Sequence, residues 1–550
     1  MRRPRFRAPV VARTGTVAMV IVMAAATFAT TPTAVAAAAG GGSSRPTVRT
    51  DRGPVQGRST AAGTVFLGVP YAAAPVGPQR WRPPRRHAVW TRRLDATTHA
   101  TPCPQAPFSG SGGATVGSED CLDLDIYLPP GDGKGRPVLV WFHGGGFVGG
   151  NADEIDGSVL AASQRAVVIS VNSRLGVLGF LASPALAAER GNGSSGDYGI
   201  QDQQAALRWV QRNAAAFGGD RRKVMIFGQS AGGASVCLHL VAPASRGLFS
   251  SAIVQSGACI GNTDAVGLRD RATAEAQGQA VADALGCPPP AVERAACLRA
   301  QSVDALLQAV TTAKARGAAI SWSPHVDGTV LPEQPATAID NGRVAPVPTI
   351  VGWNANEAST SVALAGPPVD ASEYATVISM QFPDRAAEIL TVYPVSAFAT
   401  PAAAYAAVLT DRTYACPGLR LAQQLDARHR SYAYEFADPS PPPVLDMPGT
   451  DQGAAHATEI QYIFRTGYPN TTHPDPPTFD AAQLALARSM GAAWTRFARS
   501  GRPTGAAPAS PMARWRTVGA DAGRVLQLRP DGSEMVTTAV QQNHCDFWWN

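Results

Sequence analysis

Gly228-Gln229-Ser230-Ala231-Gly232 places a serine between two glycines, each two residues away. The run before it, Val224–Phe227 (VMIF), is short, apolar and β-branched, and the residues from Ala231 onward favour a helix. A strand, a sharp turn and a helix in that order make a nucleophile elbow, whose small neighbours let a serine hydroxyl project from the end of a sheet. The adjoining helix N-terminus favours negative charge there. The pentapeptide alone fits an ordinary Gly/Ser turn equally well, and only its flanks separate the two readings. His143-Gly144-Gly145-Gly146 follows a second apolar run, Val138–Phe142 (VLVWF). Acyl transfer creates an oxyanion that backbone N–H groups must approach closely, and side chains would obstruct them. The stretch from Gly144 to Gly149 also reads G-x-G-x-x-G. A dinucleotide site would need an acid about 20 residues on, at the end of the next strand. Ser170-Val171-Asn172 stand there instead, so the nucleotide reading is set aside.

A serine nucleophile of this kind needs an acid and then a histidine later in the chain. The apolar run Thr349–Gly352 leads into Asn354-Ala355-Asn356-Glu357, and loops after strand C-termini are where parallel sheets keep their active groups. His456 lies in the small-residue stretch Gly453-Ala454-Ala455-His456-Ala457-Thr458-Glu459, which suits a loop. Taken alone, each of the two fits a solvated surface group better than a catalytic one, and spacing does not bring them together.

The elements that must position these groups alternate. Val138–Phe142, Val167–Val171, Val224–Phe227, Ala252–Val254 and Thr349–Gly352 show little polar alternation, as expected of strands buried on both faces. Helical patterns separate them, over Asp202–Ala216, Ala234–Val241 and Arg271–Ala284. This order predicts an α/β fold with a parallel sheet. Residues 48–550 show no internal repeat and no composition break, and read as one large domain with long insertions.

The chain has 550 residues, 45% of them apolar and 16% charged, enough to bury a large core. Of its net charge of +6, five units come from Arg2, Arg3, Arg5, Arg7 and Arg13, in a segment without acids. The rest is near neutral, which gives no electrostatic footprint for nucleic acid. After these arginines come an apolar run, Thr16–Thr30, and then Ala34-Val35-Ala36. That order predicts a signal peptide over 1–36, cleaved near Ala36, and a flexible leader over 37–47. The apolar run is shorter than the roughly 20 residues of a membrane anchor. Eight cysteines in an exported chain suggest disulfides, with connectivity left open by spacing alone. There is no C-x-x-C and no H-x-H, so no structural metal is expected.

Further stretches join the elbow in a single order. They are Phe66-Leu67-Gly68-Val69-Pro70-Tyr71-Ala72, Arg82-Pro83-Pro84, Ser118-Glu119-Asp120-Cys121-Leu122-Asp123-Leu124, Val171–Phe180, Phe217-Gly218-Gly219-Asp220, Gln255-Ser256-Gly257 and Cys545-Asp546-Phe547-Trp548. With these, residues 47–550 resemble the type-B carboxylesterase family, which includes bacterial esterases, fungal lipases and cholinesterases. The resemblance implies an α/β-hydrolase fold, a large, mostly parallel central sheet flanked by helices. It implies ester hydrolysis without a cofactor, on a small-molecule ester, with no stable membrane anchor. Ser230 would be the nucleophile, His456 the general base and Glu357 its orienting acid, with Gly145, Gly146 and Ala231 supplying oxyanion N–H groups. Cys103 would pair with Cys121, Cys287 with Cys297, and Cys416 with Cys545. Cys237 and Cys259 would form a fourth bridge or remain buried thiols.

The sequence departs from the family pattern at three points: Gln229 stands where Glu is usual, and Ala358 and Ala457 where Gly is usual. Cholinesterase-type relatives hold a quaternary ammonium chiefly on a tryptophan in the first disulfide loop. Here the only aromatic in that loop is Phe108, amid Gly110, Gly112 and Gly113, so neutral esters are expected. The reading is a secreted serine carboxylesterase. An interfacial lipase and a non-catalytic binding protein on the same fold are its alternatives.

Overall fold

The computed structural model describes residues 45–107, 115–191, 193–261, 268–447, 450–467, 475–505, 511–519 and 522–550. The expected signal peptide, the leader up to residue 44, and Phe108, Gly110, Gly112 and Gly113 lie outside these residues. Thr47, at the end of the expected leader, is already paired in a small three-stranded sheet.

Eleven strands build one large mixed sheet. In chain order they are β1 (Arg58–Thr60), β2 (Gly63–Pro70), β3 (Asp123–Leu128), β4 (Arg136–Phe142), β5 (Val167–Val171), β6 (Gly219–Gln229), β7 (Ser251–Gln255), β8 (Thr349–Asn354), β9 (Ser431–Phe436), β10 (Val525–Leu528) and β11 (Glu534–Val536). Their order across the sheet is β11-β10-β9-β8-β7-β6-β4-β5-β3-β2-β1. From β10 to β5 every neighbouring pair is parallel, and the antiparallel pairings lie toward the two edges.

The apolar runs become central strands because each face of the sheet meets its own core. Val138, Val140 and Phe142 of β4 pack on one side with Val224 and Ile226 of β6. They meet Leu207 and Val210 of helix α1 (Tyr198–Asn213) and Val236 and Leu240 of α2 (Ala231–Val241). Leu139 and Trp141, with Met225 and Phe227, face the other way. There they meet Ile460 and Phe464 of α3 (Thr458–Phe464) and Met490, Trp494 and Phe497 of α4 (Ala481–Ser500). Alternation along each strand therefore feeds two apolar layers, which is why the runs carry almost no polar residues.

Helix α1 starts at Tyr198, four residues before the sequence pattern does, and gives way to a 3₁₀ turn at Ala214–Phe217. Asp197 before it is left-handed and makes no side-chain cap, so the usual start signal is missing. The start is held instead by burial of Tyr198, Gly199, Ile200 and Gln201 and by Asp202. Asp202 Oδ2 and Oδ1 accept from Arg174 Nε and Nη2 at 2.7 Å each. Both residues are buried, so removing either would leave an uncompensated charge.

Four disulfides are formed: Cys103–Cys121, Cys237–Cys259, Cys287–Cys297 and Cys416–Cys545. Cys237 and Cys259, whose state the sequence left open, are thus bridged, joining α2 to the segment after β7. Non-reducing peptide mapping is expected to return these four cross-linked pairs. Alkylation of Cys237 or Cys259 without reductant would remove the second of them. Among the described residues no helix is long and apolar enough to cross a membrane.

Candidate active site

The parallel strands all end on one side of the sheet, and the candidate catalytic residues lie on connections that leave it there. His143–Gly146 follow β4, Ser230 follows β6, Glu357 follows β8, and His456 lies on the connection after β9. The chain runs from β4 to β5 on one side and returns to β6 on the other, so the strand order reverses at β4 and β6. Open α/β sheets bind ligands in the crevice that forms outside such a point.

Ser230 sits between β6 and α2 with φ 57° and ψ −123°. Such a conformation costs a non-glycine residue about 1–3 kcal/mol and is held by its surroundings. Its N–H donates to Gln255 O at 2.9 Å, and its carbonyl accepts from Ala234 N–H at 2.8 Å. Small residues on the elbow are a packing requirement. A Cβ on Gly232 would lie 2.0 Å from Phe142 O, because the first turn of α2 runs against the end of β4.

The glycine loop after β4 lies directly over the serine. A Cβ on Gly144 would sit 3.2 Å from Gln229 O and 3.4 Å from Ser230 Cβ. Gly145 has φ +96°, a left-handed conformation that favours glycine, and its carbonyl accepts from Val148 and Gly149 N–H at 3.0 Å each. His143 is buried, and its Nδ1–H donates to Gly144 O at 2.9 Å. Burial lowers its pKa, which favours the neutral ring. Ala231 is the first residue of α2, so its N–H has no acceptor within the helix. Gly144 thus brings the start of the glycine loop against Ser230, and Ala231 directly follows it in the chain.

Glu357 and His456 are brought together. His456 Nδ1 lies 2.5 Å from Glu357 Oε2, and Glu357 Oε1 accepts from Asn354 N–H at 2.8 Å. Glu357 is fully buried and the His456 side chain is 6% exposed, so the pair sits in a low-dielectric site. Burial opposes protonation of His456, but the Glu357 carboxylate outweighs it and leaves the imidazole above its ordinary value. The opposite ring nitrogen, Nε2, lies 3.1 Å from Gln229 Nε2. Gln229 is the residue before Ser230, so the histidine meets the elbow. Among the described residues no hydrogen bond joins Ser230 to His456 directly.

The two alanines at usual glycine positions behave differently. Ala358 has φ −88°, an ordinary conformation for any residue. Ala457 has φ +73°, a left-handed conformation that costs an L-residue about 1–2 kcal/mol.

Three residues around Glu357 and His456 escaped the sequence reading. Glu459 is buried three residues after His456, and its carboxylate accepts from Asn354 Nδ2 at 2.8 Å and Gln255 Nε2 at 3.2 Å. Burial and the nearby Glu357 push its pKa up to about 7. Asn354 Nδ2 also donates to Ala455 O at 2.7 Å, tying the end of β8 to the histidine loop. Tyr414 places its ring 5.1 Å from that of His456, from a π-helical turn at Asp411–Ala415. Spacing within the Gly453–Glu459 stretch could have flagged Glu459, whereas Tyr414 carries no such signal.

A strained serine at an elbow, a glycine loop packed against it, and a histidine hydrogen-bonded to a buried carboxylate are groups that acyl transfer can use. The chain's likenesses agree. The sequence model of the carboxylesterase family matches residues 44–548. The chain is 35% identical over 468 residues to the fumonisin B1 esterase of Sphingopyxis macrogoltabida, covering 82% of both proteins. It is 32% identical over 542 residues to an acylcarnitine hydrolase of Mus musculus, covering 92% of this chain and 91% of that one. It is also 30% identical over 537 residues to a cholinesterase of Mus musculus, covering 91% and 86%. An elbow, a glycine loop and a mixed α/β sheet in this order, matched over nearly the whole chain, have one reading: the chain belongs to the carboxylesterase family, has its α/β-hydrolase fold, and is a carboxylic ester hydrolase.

Proposed function

We propose that the protein is an exported serine carboxylesterase that works through an acyl-enzyme on Ser230. The observation that carries this reading is the Glu357–His456 pair, with the other ring nitrogen turned to the elbow. Ser230 Oγ attacks the ester carbonyl carbon, and its proton passes to His456 Nε2. Glu357 holds the proton on Nδ1 and stabilises the imidazolium. The carbonyl electron pair moves onto oxygen, where Gly145, Gly146 and Ala231 N–H groups receive it. Collapse expels the alcohol, which takes the proton from His456. Water then repeats the sequence on the acyl-enzyme and releases the acid. Export is supported by the arginine, apolar and small-residue order of residues 1–36 and by the four disulfides. The body of the protein, residues 48–550, acts as one catalytic domain.

Neutral acyl esters of short to medium chain, or aryl esters, are the substrate class. The loop between Cys103 and Cys121 has one aromatic, and the chain beyond the export segment carries almost no net charge to steer a cation. The test is kcat/KM for nitrophenyl esters of increasing acyl length, with a choline ester beside its neutral isostere. Short to medium chains are expected to win, and the choline ester to gain nothing over its isostere. A tenfold preference for the choline ester requires about 1.4 kcal/mol of cation recognition and overturns the assignment. A rate that jumps only once the ester forms an emulsion points instead to an interfacial lipase.

A further inference from the structure

We propose that Gln229 is a positioning residue for the general base: its side-chain amide donates to His456 Nε2 and biases the imidazole toward its neutral form in the free enzyme. The inference rests on the triad reading above. The Nδ1 proton is directed to Glu357 Oε2 at 2.5 Å, so a neutral ring offers one lone pair, at Nε2. Gln229 Nε2 stands 3.1 Å from that lone pair, and an amide nitrogen can only donate. A protonated Nε2 would meet the amide donor to donor, so the contact favours the neutral base. Gln229 is shielded from water, so the contact is not shared with solvent. It is 2% exposed, and its backbone is in register with Gln255 on the neighbouring strand β7.

The titratable groups that face the imidazole are Glu357 from the loop after β8, Glu459 from α3 and Tyr414 from the π-helical turn. Both carboxylates favour the imidazolium. The Gln229 amide is the hydrogen-bond partner that works against them. It occupies the same lone pair that must take the Ser230 proton, so it yields as the serine hydroxyl engages. A carboxylate at position 229 would accept from a protonated Nε2 and reverse the bias.

The experiment is the pH dependence of kcat/KM, whose acid limb reports the base in the free enzyme. Wild type is compared with Gln229→Glu, which adds a carboxylate, and with Gln229→Met, which keeps the volume and removes the donor. Gln229→Leu replaces the Met variant if that fails to fold. A lowered base pKa extends activity to lower pH, so both substitutions should move the limb upward. The expected shifts are about half a unit for Met and about one unit or more for Glu. A limb that rises with Glu and stays put with Met overturns the role of the amide and leaves the triad intact. A limb indifferent to both shows that it does not belong to His456, and overturns the proposal. Ser230→Ala, run alongside, separates the readings: an active Ser230→Ala variant sinks the triad itself.

Discussion

Ser230→Ala is expected to abolish ester hydrolysis and leave the melting temperature almost unchanged. Removing the nucleophile of such a triad costs on the order of 10⁶ in kcat, because the histidine and the acid act through it. The fold should tolerate the change. The Ser230 side chain makes no hydrogen bond among the described residues, and the contacts that hold the elbow use its backbone N–H and carbonyl. Alanine pays the same backbone cost at φ 57° as serine does. The measurement is kcat on a nitrophenyl ester together with a thermal melt. Retention of more than a few per cent of wild-type activity in a correctly folded variant would place the nucleophile elsewhere.

Glu357→Gln should cost on the order of 10⁴ in kcat, with a smaller effect on KM, and for a reason specific to this site. Glu357 Oε1 accepts the Asn354 N–H at 2.8 Å. A glutamine would keep its carbonyl oxygen at that contact, which turns its NH₂ toward His456 Nδ1. The histidine must then present Nδ1 as an acceptor and carry its proton on Nε2, the nitrogen that has to be free for Ser230. The tautomer is inverted while the shape is preserved. Activity within tenfold of wild type, in a protein that melts normally, would show that Glu357 does not orient the base.

Much of the fold was legible in the sequence. Val167–Val171 and Arg271–Ala284 occur as read; the other four runs lie inside longer strands, Val224–Phe227 inside Gly219–Gln229, and six of the eleven strands carried no such run. The elbow was legible for the same reason, since a strand, a turn and a helix are written in consecutive residues. Glu357 and His456 could be placed only through family resemblance, because 99 residues separate them and no local pattern encodes their meeting. The contact between Gln229 and His456 spans 227 residues, and Gln229 was visible only as a departure from the family pattern. Tyr414 reaches the histidine because one turn of its helix is wound as a π-helix, and that winding is invisible to a 3.6-residue periodicity. The start of α1 was missed because burial holds it and capping does not.

The bridge between Cys416 and Cys545 spans 129 residues, among them His456, β9, β10 and α4, while Ser230 and Glu357 precede it. His456 therefore rides on a covalently closed lobe of chain, and Ser230 and Glu357 do not. A protease that cuts once inside the lobe breaks a peptide bond but frees no fragment, since both new ends remain tied to the body that carries Ser230. Inactivation by a single cut must then come from lost geometry around His456, for the histidine itself stays attached. Detaching the lobe's C-terminal part takes the cut and a reductant together, so the nicked enzyme migrates as one chain until its disulfides are opened.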